Sequence, residues 1–394
     1  MKIEKLDNKG RGITYHNGLI TFVLNALPEE VVELENIHES KKFKTAIPKN
    51  ISNENPNRVL PKCPYYDKCG GCNLEHITIE YEDEFKENKV KEILTKYASV
   101  NTTLKYNKND KEMFYRNKVT LKIEDYRWGY YNESTHELCE IDKCLIANNA
   151  INAFLKNKEI FPIKKGTITI RANYQDELLL IISTDDAITL DETKIASNIV
   201  GIILNNKCIY KNNYFYDYID DMKFKVSYDS FFQVNNFMAS NIFKILRNNI
   251  RGKNLLDLYC GVGTLGLSLK DNFKNIYGIE KVKNAVEDAK YNAKINNVSN
   301  AFYYAGDTAK ILDKINQKFD TVIVDPPRSG LNKETIEHIK RINAKTLIYI
   351  SCDPMTLARD ISILSNYNVV KVNVLNMFPR TYHVECVVLL SLKA

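Results

Sequence analysis

A cluster of thiols near the start of the chain could bind a metal. Cys63, Cys69 and Cys72 follow the spacing C-x5-C-x2-C, with two glycines that permit sharp turns between the last two cysteines. Thiolates spaced in this way suit zinc and iron–sulfur clusters alike, so the spacing does not choose between them. A fourth ligand has to come from farther along the chain, either Cys144 or Cys139. Three unrelated structural cysteines are the alternative interpretation.

A glycine-rich stretch later in the chain could bind a ligand that contains adenosine. The sequence Asp257-Leu-Tyr-Cys-Gly261-Val-Gly263-Thr-Leu-Gly266 ends one predicted strand and begins a helix, and Glu280 ends the next strand. Glycines let the backbone approach a ligand, and a carboxylate at the position of Glu280 can accept hydrogen bonds from ribose hydroxyls. The same glycines fit an NAD-dependent dehydrogenase. A tight turn without any ligand is the third interpretation.

The loop Asp325-Pro-Pro-Arg328-Ser-Gly favours S-adenosylmethionine over NAD as that ligand. It follows the fourth strand of the predicted sheet, at the edge where open α/β sheets bind ligands, and its two prolines keep it rigid. Methyltransferases use such a loop to present a base, whereas a dehydrogenase has no evident need for it. We therefore expect a methyl donor at this edge.

Cys352 and Glu385 could then methylate a pyrimidine. Carbon 5 of uracil or cytosine is a poor nucleophile until a thiolate adds to carbon 6, and Cys352 follows the fifth predicted strand, beside the methyl donor. A helix N-terminus and a cation such as Arg328 would favour its thiolate. After methylation a base must remove the C5 proton, and Glu385 is our candidate, with His383 as the alternative. Taken singly, a small buried cysteine and a surface glutamate are the ordinary interpretations.

The elements that position these residues form three predicted domains. The 394 residues, 44% of them hydrophobic and 26% charged, fit a folded chain of two or three domains. Residues 1–48 contain five short β-type runs and the hairpin signal Asn17-Gly18, which predicts an OB-like barrel. We expect an α+β domain over 49–225, entered through an Asn- and Pro-rich linker. Residues 226–394 alternate strand and helix, which predicts a Rossmann-like, doubly wound α/β domain.

The positive charge is concentrated in one stretch. Lys and Arg total 55 against 49 Asp and Glu, and the segment from Lys86 to Lys122 alone holds ten basic and four acidic residues. We interpret this segment as a surface that contacts phosphates, with a solvated helix face over Ile79–Tyr97 as the alternative. The charged N-terminus and the lack of an 18-residue apolar run predict a cytoplasmic protein without a membrane span.

Together these motifs resemble the S-adenosylmethionine-dependent RNA uracil-C5 methyltransferases, especially the branch that modifies 23S ribosomal RNA. The resemblance covers nearly the whole chain. The N-terminal part looks like a TRAM domain, and Tyr115-Arg-Asn-Lys is typical of the central domain. Further motifs follow in the family's order: Ser230-Phe-Phe-Gln233-Val-Asn, the glycine loop, Asp325-Pro-Pro-Arg, Ser351-Cys-Asp-Pro and Phe378-Pro-Arg-Thr-Tyr-His-Val-Glu385.

The resemblance implies roles for single residues. Cys352 would be the nucleophile, and Glu385 would take the C5 proton. A [4Fe-4S] cluster would be held by Cys63, Cys69, Cys72 and Cys144. The methyl-donor pocket would be lined by Gln233, Tyr259, Thr264, Glu280, Asp307 and Asp325. The chain departs from the pattern at Glu29, where relatives usually carry glycine, and at Thr264, where some carry asparagine.

The function implied is methylation of uridine C5 in 23S rRNA through a covalent Cys–C6 adduct, by a cytoplasmic monomer. The same reaction on tRNA would use every catalytic residue and is the main alternative. An NAD-dependent iron–sulfur oxidoreductase would leave Cys352 and Glu385 idle. An inactive RNA-binding module would not depend on Cys352 at all.

Overall fold

The computed structural model describes residues 1–315 and 317–393. Its N-terminal part is a five-stranded sheet in the order β1-β2-β3-β5-β4. The strands are β1 (Lys5–Leu6), β2 (Gly12–His16), β3 (Leu19–Val23), β4 (Val31–Glu39) and β5 (Lys44–Ser52). The predicted hairpin joins β2 to β3, since Asn17 and Gly18 both have positive φ, 49° and 76°. The pairing of Lys2 with Val31 brings the two sheet edges together, which is compatible with the predicted barrel.

The middle of the chain is an α+β unit built on a seven-stranded sheet, in the order β13-β12-β11-β10-β7-β8-β9. Its strands are β7 (Lys118–Glu124), β8 (Arg127–Tyr131), β9 (Leu138–Glu140), β10 (Lys165–Ala172), β11 (Leu178–Ser183), β12 (Ile199–Leu204) and β13 (Lys207–Lys211). Helix α2 (Asn149–Leu155) covers one face. A separate hairpin of β14 (Tyr214–Ile219) and β15 (Met222–Ser227) leads to the C-terminal part.

The C-terminal part is a mixed sheet of eight strands in the order β18-β17-β16-β19-β20-β22-β21-β6. Its strands are β6 (Leu104–Asn107), β16 (Gly252–Leu258), β17 (Phe273–Glu280), β18 (Ala301–Ala305), β19 (Thr321–Val324), β20 (Thr346–Ser351), β21 (Tyr367–Leu375) and β22 (Glu385–Leu392). Strands β16 to β20 are parallel, which confirms the predicted doubly wound fold, and β22 is antiparallel to both of its neighbours.

Helices cover both faces of this sheet. They are α1 (Ile79–Ala98), α3 (Asn236–Asn249), α4 (Thr264–Ser268), α5 (Lys283–Ile295), α6 (Thr308–Leu312), α7 (Lys333–Ile342) and α8 (Pro354–Ile363). Because successive strand residues point to opposite faces, Leu255 joins one apolar core and Leu256 joins the other. The strand order reverses between β16 and β19, which is where open α/β sheets bind their ligands. In the part of the chain described, no helix is long and apolar enough to cross a membrane.

Two elements of this sheet layer come from far upstream. Strand β6 pairs in parallel with β21, and α1 packs against α8 and buries Val90, Ile93 and Leu94 in the core beneath. Sheet pairing therefore crosses the boundary that we predicted at residue 225. The helix expected over Ile79–Tyr97 is present as α1, with the Thr78 hydroxyl capping its first turn.

The predicted phosphate-binding role of the basic stretch is wrong for its first two lysines. Lys86 is fully buried and Lys89 nearly so. The Lys86 ammonium forms an ion pair with Glu82 at 2.7 Å, and Lys89 donates to the carbonyl oxygen of Tyr382 at 2.8 Å. Burial lowers the pKa of Lys89 to about 8. These side chains hold protein segments together and are not available to RNA.

Candidate functional site

Three predicted site residues meet at the carboxyl edge of the parallel strands. Cys352 follows the last residue of β20, and Ser351 pairs directly with Cys386, so that Glu385 at the start of β22 lies beside the thiol. Asp325 follows β19, where its backbone N–H donates to the carbonyl oxygen of Leu258 at 3.4 Å. The thiol and the two carboxyl groups therefore share one end of the sheet.

The Cys352 thiol is half-buried and surrounded by charge of both signs. Burial, together with the charges of Glu385 and Asp325, raises the pKa of this thiol to about 11, against the opposing effect of the Arg328 guanidinium. Helix α8 helps less than its position suggests, because the Asp353 carboxylate accepts its first-turn N–H groups at 2.9 and 3.0 Å. Arg328 is thus the cation that stabilises the thiolate.

The loop that carries Arg328 is anchored to the helix that follows Cys352. The buried carboxylate of Asp360 accepts the backbone N–H of Leu331 at 2.7 Å, and Arg359 donates to the carbonyl oxygen of Ser329 at 2.9 Å. The hydroxyl of Tyr349, on β20, donates to Asp360 at 2.6 Å. Helix α8 therefore fixes both the thiol and its cation.

Replacing Arg328 by glutamine should slow alkylation of Cys352 about tenfold at pH 8, because loss of a facing cation raises the pKa of the thiol by about one unit. In both proteins the rate should climb with pH, since the thiolate fraction grows up to the pKa. Iodoacetamide labelling followed by peptide mass spectrometry measures this rate without RNA. The exposed Cys208 serves as internal reference. Equal rates in the two proteins would contradict the assignment of Arg328.

Glu385 is buried, and this burial together with Asp325 raises the pKa of its carboxyl group well above the ordinary value, while Arg328 lowers it. A carboxylate with a raised pKa is a stronger base. The alternative base, His383, stacks against Tyr382 with ring centroids 4.2 Å apart, and burial lowers the pKa of its imidazole to about 3. An imidazole of such low basicity is a poor proton acceptor, which favours Glu385.

The glycine loop lies at the same edge, next to the ends of two other strands. Gly263 has φ 87°, and a Cβ there would lie 2.8 Å from the hydroxyl of Tyr303, so only glycine fits. The Glu280 carboxylate, at the end of β17, accepts the backbone N–H groups of Gly261 at 3.1 Å and Val282 at 2.8 Å. A carboxylate at the end of this strand is placed where it can accept hydrogen bonds from ribose hydroxyls.

The other residues assigned to the methyl-donor pocket lie on several different helices and loops. Thr264 is buried at the start of α4, and Asp307 caps α6 at the end of β18. The backbone carbonyl of Gln233 accepts the Asn117 side-chain amide at 3.0 Å, which fixes its loop beside Gly261. Tyr259 has φ 63°, and its hydroxyl lies 3.5 Å from that of Thr335. Asp325, the last of the residues assigned to the methyl-donor pocket, directly follows β19.

Sequence reasoning treated Asp257 only as the first residue of the glycine motif. The structure shows it fully buried, with one carboxyl oxygen accepting the Gly266 N–H at 2.9 Å. The other oxygen has no partner within residues 1–315 and 317–393. Burial raises the pKa of Asp257 to about 8. The sequence did carry a signal for this residue: Asp257 is an acidic residue within an apolar strand, shortly before the glycines.

The cysteine cluster forms a separate site. Cys63, Cys69, Cys72 and Cys144 line one small cavity, whereas Cys139 lines the neighbouring cleft. The pKa of Cys69 is raised to about 12, first by burial and then by the nearby thiols, so the free thiols are protonated. Within the described ranges, no three metal-ligating side chains lie close enough to hold one ion. Four thiols around a cavity suit a cluster, since each then binds a different iron.

Comparison with known proteins finds relatives among the RNA methyltransferases. The profile of the family described as tRNA (Uracil-5-)-methyltransferase matches residues 308–393, and that of the methyltransferase small domain matches 235–347. An uncharacterized RNA methyltransferase of Clostridium acetobutylicum is 34% identical over 99% of this chain and 96% of its own. One from Aquifex aeolicus is 31% identical, over 100% and 98%.

A solved structure resembles the whole chain. The tRNA (uracil-54, C5)-methyltransferase of Pyrococcus abyssi, in complex with S-adenosyl-L-homocysteine, has a TM-score of 0.81 and 26% identity over 99% of both chains. The likeness therefore extends from the N-terminal sheet to the last strand.

Proposed function

The chain belongs to the S-adenosylmethionine-dependent RNA uracil-C5 methyltransferases, and from this premise we propose that Cys352 and Glu385 catalyse the reaction through a covalent RNA adduct. The observation that carries the proposal is the meeting of thiol, cation and carboxyl groups at one sheet edge, next to the glycine loop. S-adenosylmethionine, when bound there, supplies the methyl group. Gln233, Tyr259, Thr264, Glu280, Asp307 and Asp325 are the residues that we propose to line its pocket.

The proposed steps balance as an addition followed by an elimination. The Cys352 thiolate, stabilised by Arg328, forms a bond to C6 of uracil, and the electrons of the C5–C6 double bond make C5 nucleophilic. Once C5 carries the methyl group, the Glu385 carboxylate removes the C5 proton. The double bond then re-forms, the S–C6 bond breaks and the thiolate returns. The uridine must be flipped out of its stack, because C5 and C6 are otherwise inaccessible.

We propose that the three segments predicted from the sequence divide the work, with residues 226–394 performing the chemistry and residues 1–48 and 49–225 holding RNA. A cleft of about 340 Å³ between the N-terminal sheet and the cysteine segment supports this division. Its walls include three basic side chains, three acidic ones, and several asparagines and hydroxyl groups; the charged residues are Lys9, Arg11, Lys68, Asp67, Glu133 and Glu137. The basic groups suit phosphates, and the amides and hydroxyls suit the base edges of a single-stranded loop.

We propose uridine in 23S rRNA as the substrate, on the motifs and their order. Uridine in tRNA is the second candidate, favoured by the likeness to the Pyrococcus abyssi enzyme. Labelled S-adenosylmethionine should be offered with unmodified 23S rRNA fragments and, in parallel, with unmodified tRNA, followed by nucleoside analysis. Cysteine-dependent 5-methyluridine in rRNA supports the first candidate, and in tRNA alone the second. Transfer to neither RNA would contradict both.

We further propose that Cys63, Cys69, Cys72 and Cys144 hold a [4Fe-4S] cluster. Anaerobically purified protein should then be brown and contain about four irons per chain. Replacing Cys72 by serine should bleach the protein and lower its Tm by roughly 10 °C, because metal binding contributes to folding. The matched change Cys208→Ser should alter neither property, since Cys208 is exposed and outside the cavity. Colourless protein with one zinc per chain would contradict the proposal.

A further inference from the structure

The loop that leads into Glu385 is held by two buried lysines of α1. This loop, residues 376–384, joins β21 to β22. The Lys86 ammonium donates to the Asn376 side-chain oxygen at 2.8 Å and to the Phe378 carbonyl oxygen at 3.0 Å. Lys89 donates to the carbonyl oxygen of Tyr382. The loop therefore docks on a helix that lies 290 residues away in sequence.

An acid completes this contact. Glu82 is fully buried and accepts the Lys86 ammonium at 2.7 Å, the Asn376 amide at 3.1 Å and, with both carboxylate oxygens, the Arg380 backbone N–H at 3.1 Å. A buried ion pair is weak evidence for stability, since desolvation offsets much of its attraction. The Glu82 carboxylate instead restrains the loop directly, because it accepts hydrogen bonds from the Asn376 side chain and the Arg380 backbone.

Arg380 is the residue on which these contacts converge. It is buried and has φ 67°, a left-handed conformation that is uncommon for a residue with a side chain. Its guanidinium donates to the Ile77 carbonyl oxygen at 2.8 Å and to Glu112. Its own carbonyl oxygen accepts the backbone N–H groups of Asn73 and Leu74 at 3.0 and 3.1 Å. Those two residues come directly after Cys72.

We propose that Arg380 is a positioning residue for Glu385, tying the loop that carries this base to α1 and to the cysteine segment at once. The inference rests on the proposed function, because it takes Glu385 as the group that removes the C5 proton. Arg380 itself contacts no reacting atom. Its loss should therefore impair proton removal while leaving the addition of Cys352 intact, since the contacts of Asp360 and Arg359 on α8 that hold Cys352 and Arg328 do not involve this loop.

The decisive variant is Arg380→Lys, which keeps the positive charge but replaces the forked guanidinium that binds the Ile77 carbonyl oxygen and the Glu112 carboxylate with a single ammonium. A misplacement of the base by about 1 Å can slow a step about 10²-fold. Turnover should fall by that factor, and methylated enzyme–RNA adduct should accumulate on ordinary uridine RNA, seen as a shifted band on a denaturing gel. Adduct formation with 5-fluorouridine RNA should stay within about threefold of wild type, because that step needs only Cys352 and the methyl donor.

Three controls make the outcome decisive. Glu385→Gln defines the adduct band expected when the base is lost, and the exposed Arg341→Lys on α7 tests for an effect of any arginine change. Glu112→Gln removes only the outer charge that faces Arg380 and should cause a smaller shift in the same direction without risk to folding, since Glu112 is partly exposed. Melting temperatures report any loss of fold.

The inference is overturned if Arg380→Lys and Glu112→Gln lower turnover and 5-fluorouridine trapping in equal proportion, or leave both unchanged. A stability role alone would give the first of these results. If Glu385→Gln itself traps no ordinary RNA, the proposed function fails, and this failure is visible before the Arg380 variant is measured.

Discussion

Replacing Cys352 by alanine should abolish methyl transfer, with turnover lowered by about 10⁴-fold or more, because it removes the thiol that we propose adds to C6. Transfer of labelled methyl groups to RNA measures the loss. The same variant should form no covalent complex with 5-fluorouridine RNA, which in wild type stalls because its C5 substituent cannot leave as a proton.

The matched control is Cys208→Ala, which removes an exposed thiol from β13, outside the methyltransferase sheet. It should retain wild-type turnover and trapping. Cys386 is a poorer control, since its side chain is fully buried beside the site and truncation would leave a cavity. If the Cys352→Ala protein still methylates uridine, this result contradicts the covalent mechanism but not the family assignment.

Replacing Glu385 by glutamine should lower turnover by about 10²- to 10⁴-fold, the usual contribution of a general base. The loss should take a particular form: RNA that has received its methyl group stays attached to Cys352, since the C5 proton has no acceptor. Mass spectrometry of the trapped complex should show one added methyl group. Glutamine keeps the size of the side chain, so the buried end of β22 is not left with a void.

His383→Gln is the discriminating comparison, because His383 was the alternative base. With its imidazole neutral and packed against Tyr382, it should reduce turnover far less than Glu385→Gln and should not accumulate adduct. If adduct accumulates in His383→Gln but not in Glu385→Gln, His383 and not Glu385 is the base that removes the C5 proton.

The parts of the fold that sequence could predict are those set by neighbours in the chain. Strands β16 to β20 each appear as a short apolar run, and the hairpin at Asn17-Gly18 follows from two residues that accept positive φ. Cys352 could be placed at the edge of the glycine loop because parallel strands end at one edge of the sheet. In each case a local pattern, together with one rule of sheet geometry, was sufficient.

The parts that could not be predicted depend on distant partners. Lys86 looks like any lysine on an amphipathic helix, and only the loop from the other end of the chain, with Glu82, makes burial possible. The pairing of β6 with β21 has the same origin, since a four-residue run gives no hint of its partner. The cysteine spacing predicted three candidate ligands, whereas only the tertiary structure brings Cys144 to the cavity that they line.

The early position of α1 has a consequence for how the protein is made. Lys86 and Asn376 are separated by 290 residues, so at about 5–20 residues per second a ribosome needs roughly 15 to 60 s to synthesise the partner after the helix. During that interval α8 and β21, which pack against α1 in the folded protein, have not yet been synthesised, and the apolar face of Val90, Ile93 and Leu94 lacks this cover. The nascent chain should therefore bind chaperones until β21 emerges, and truncated chains that end before residue 367 should remain bound.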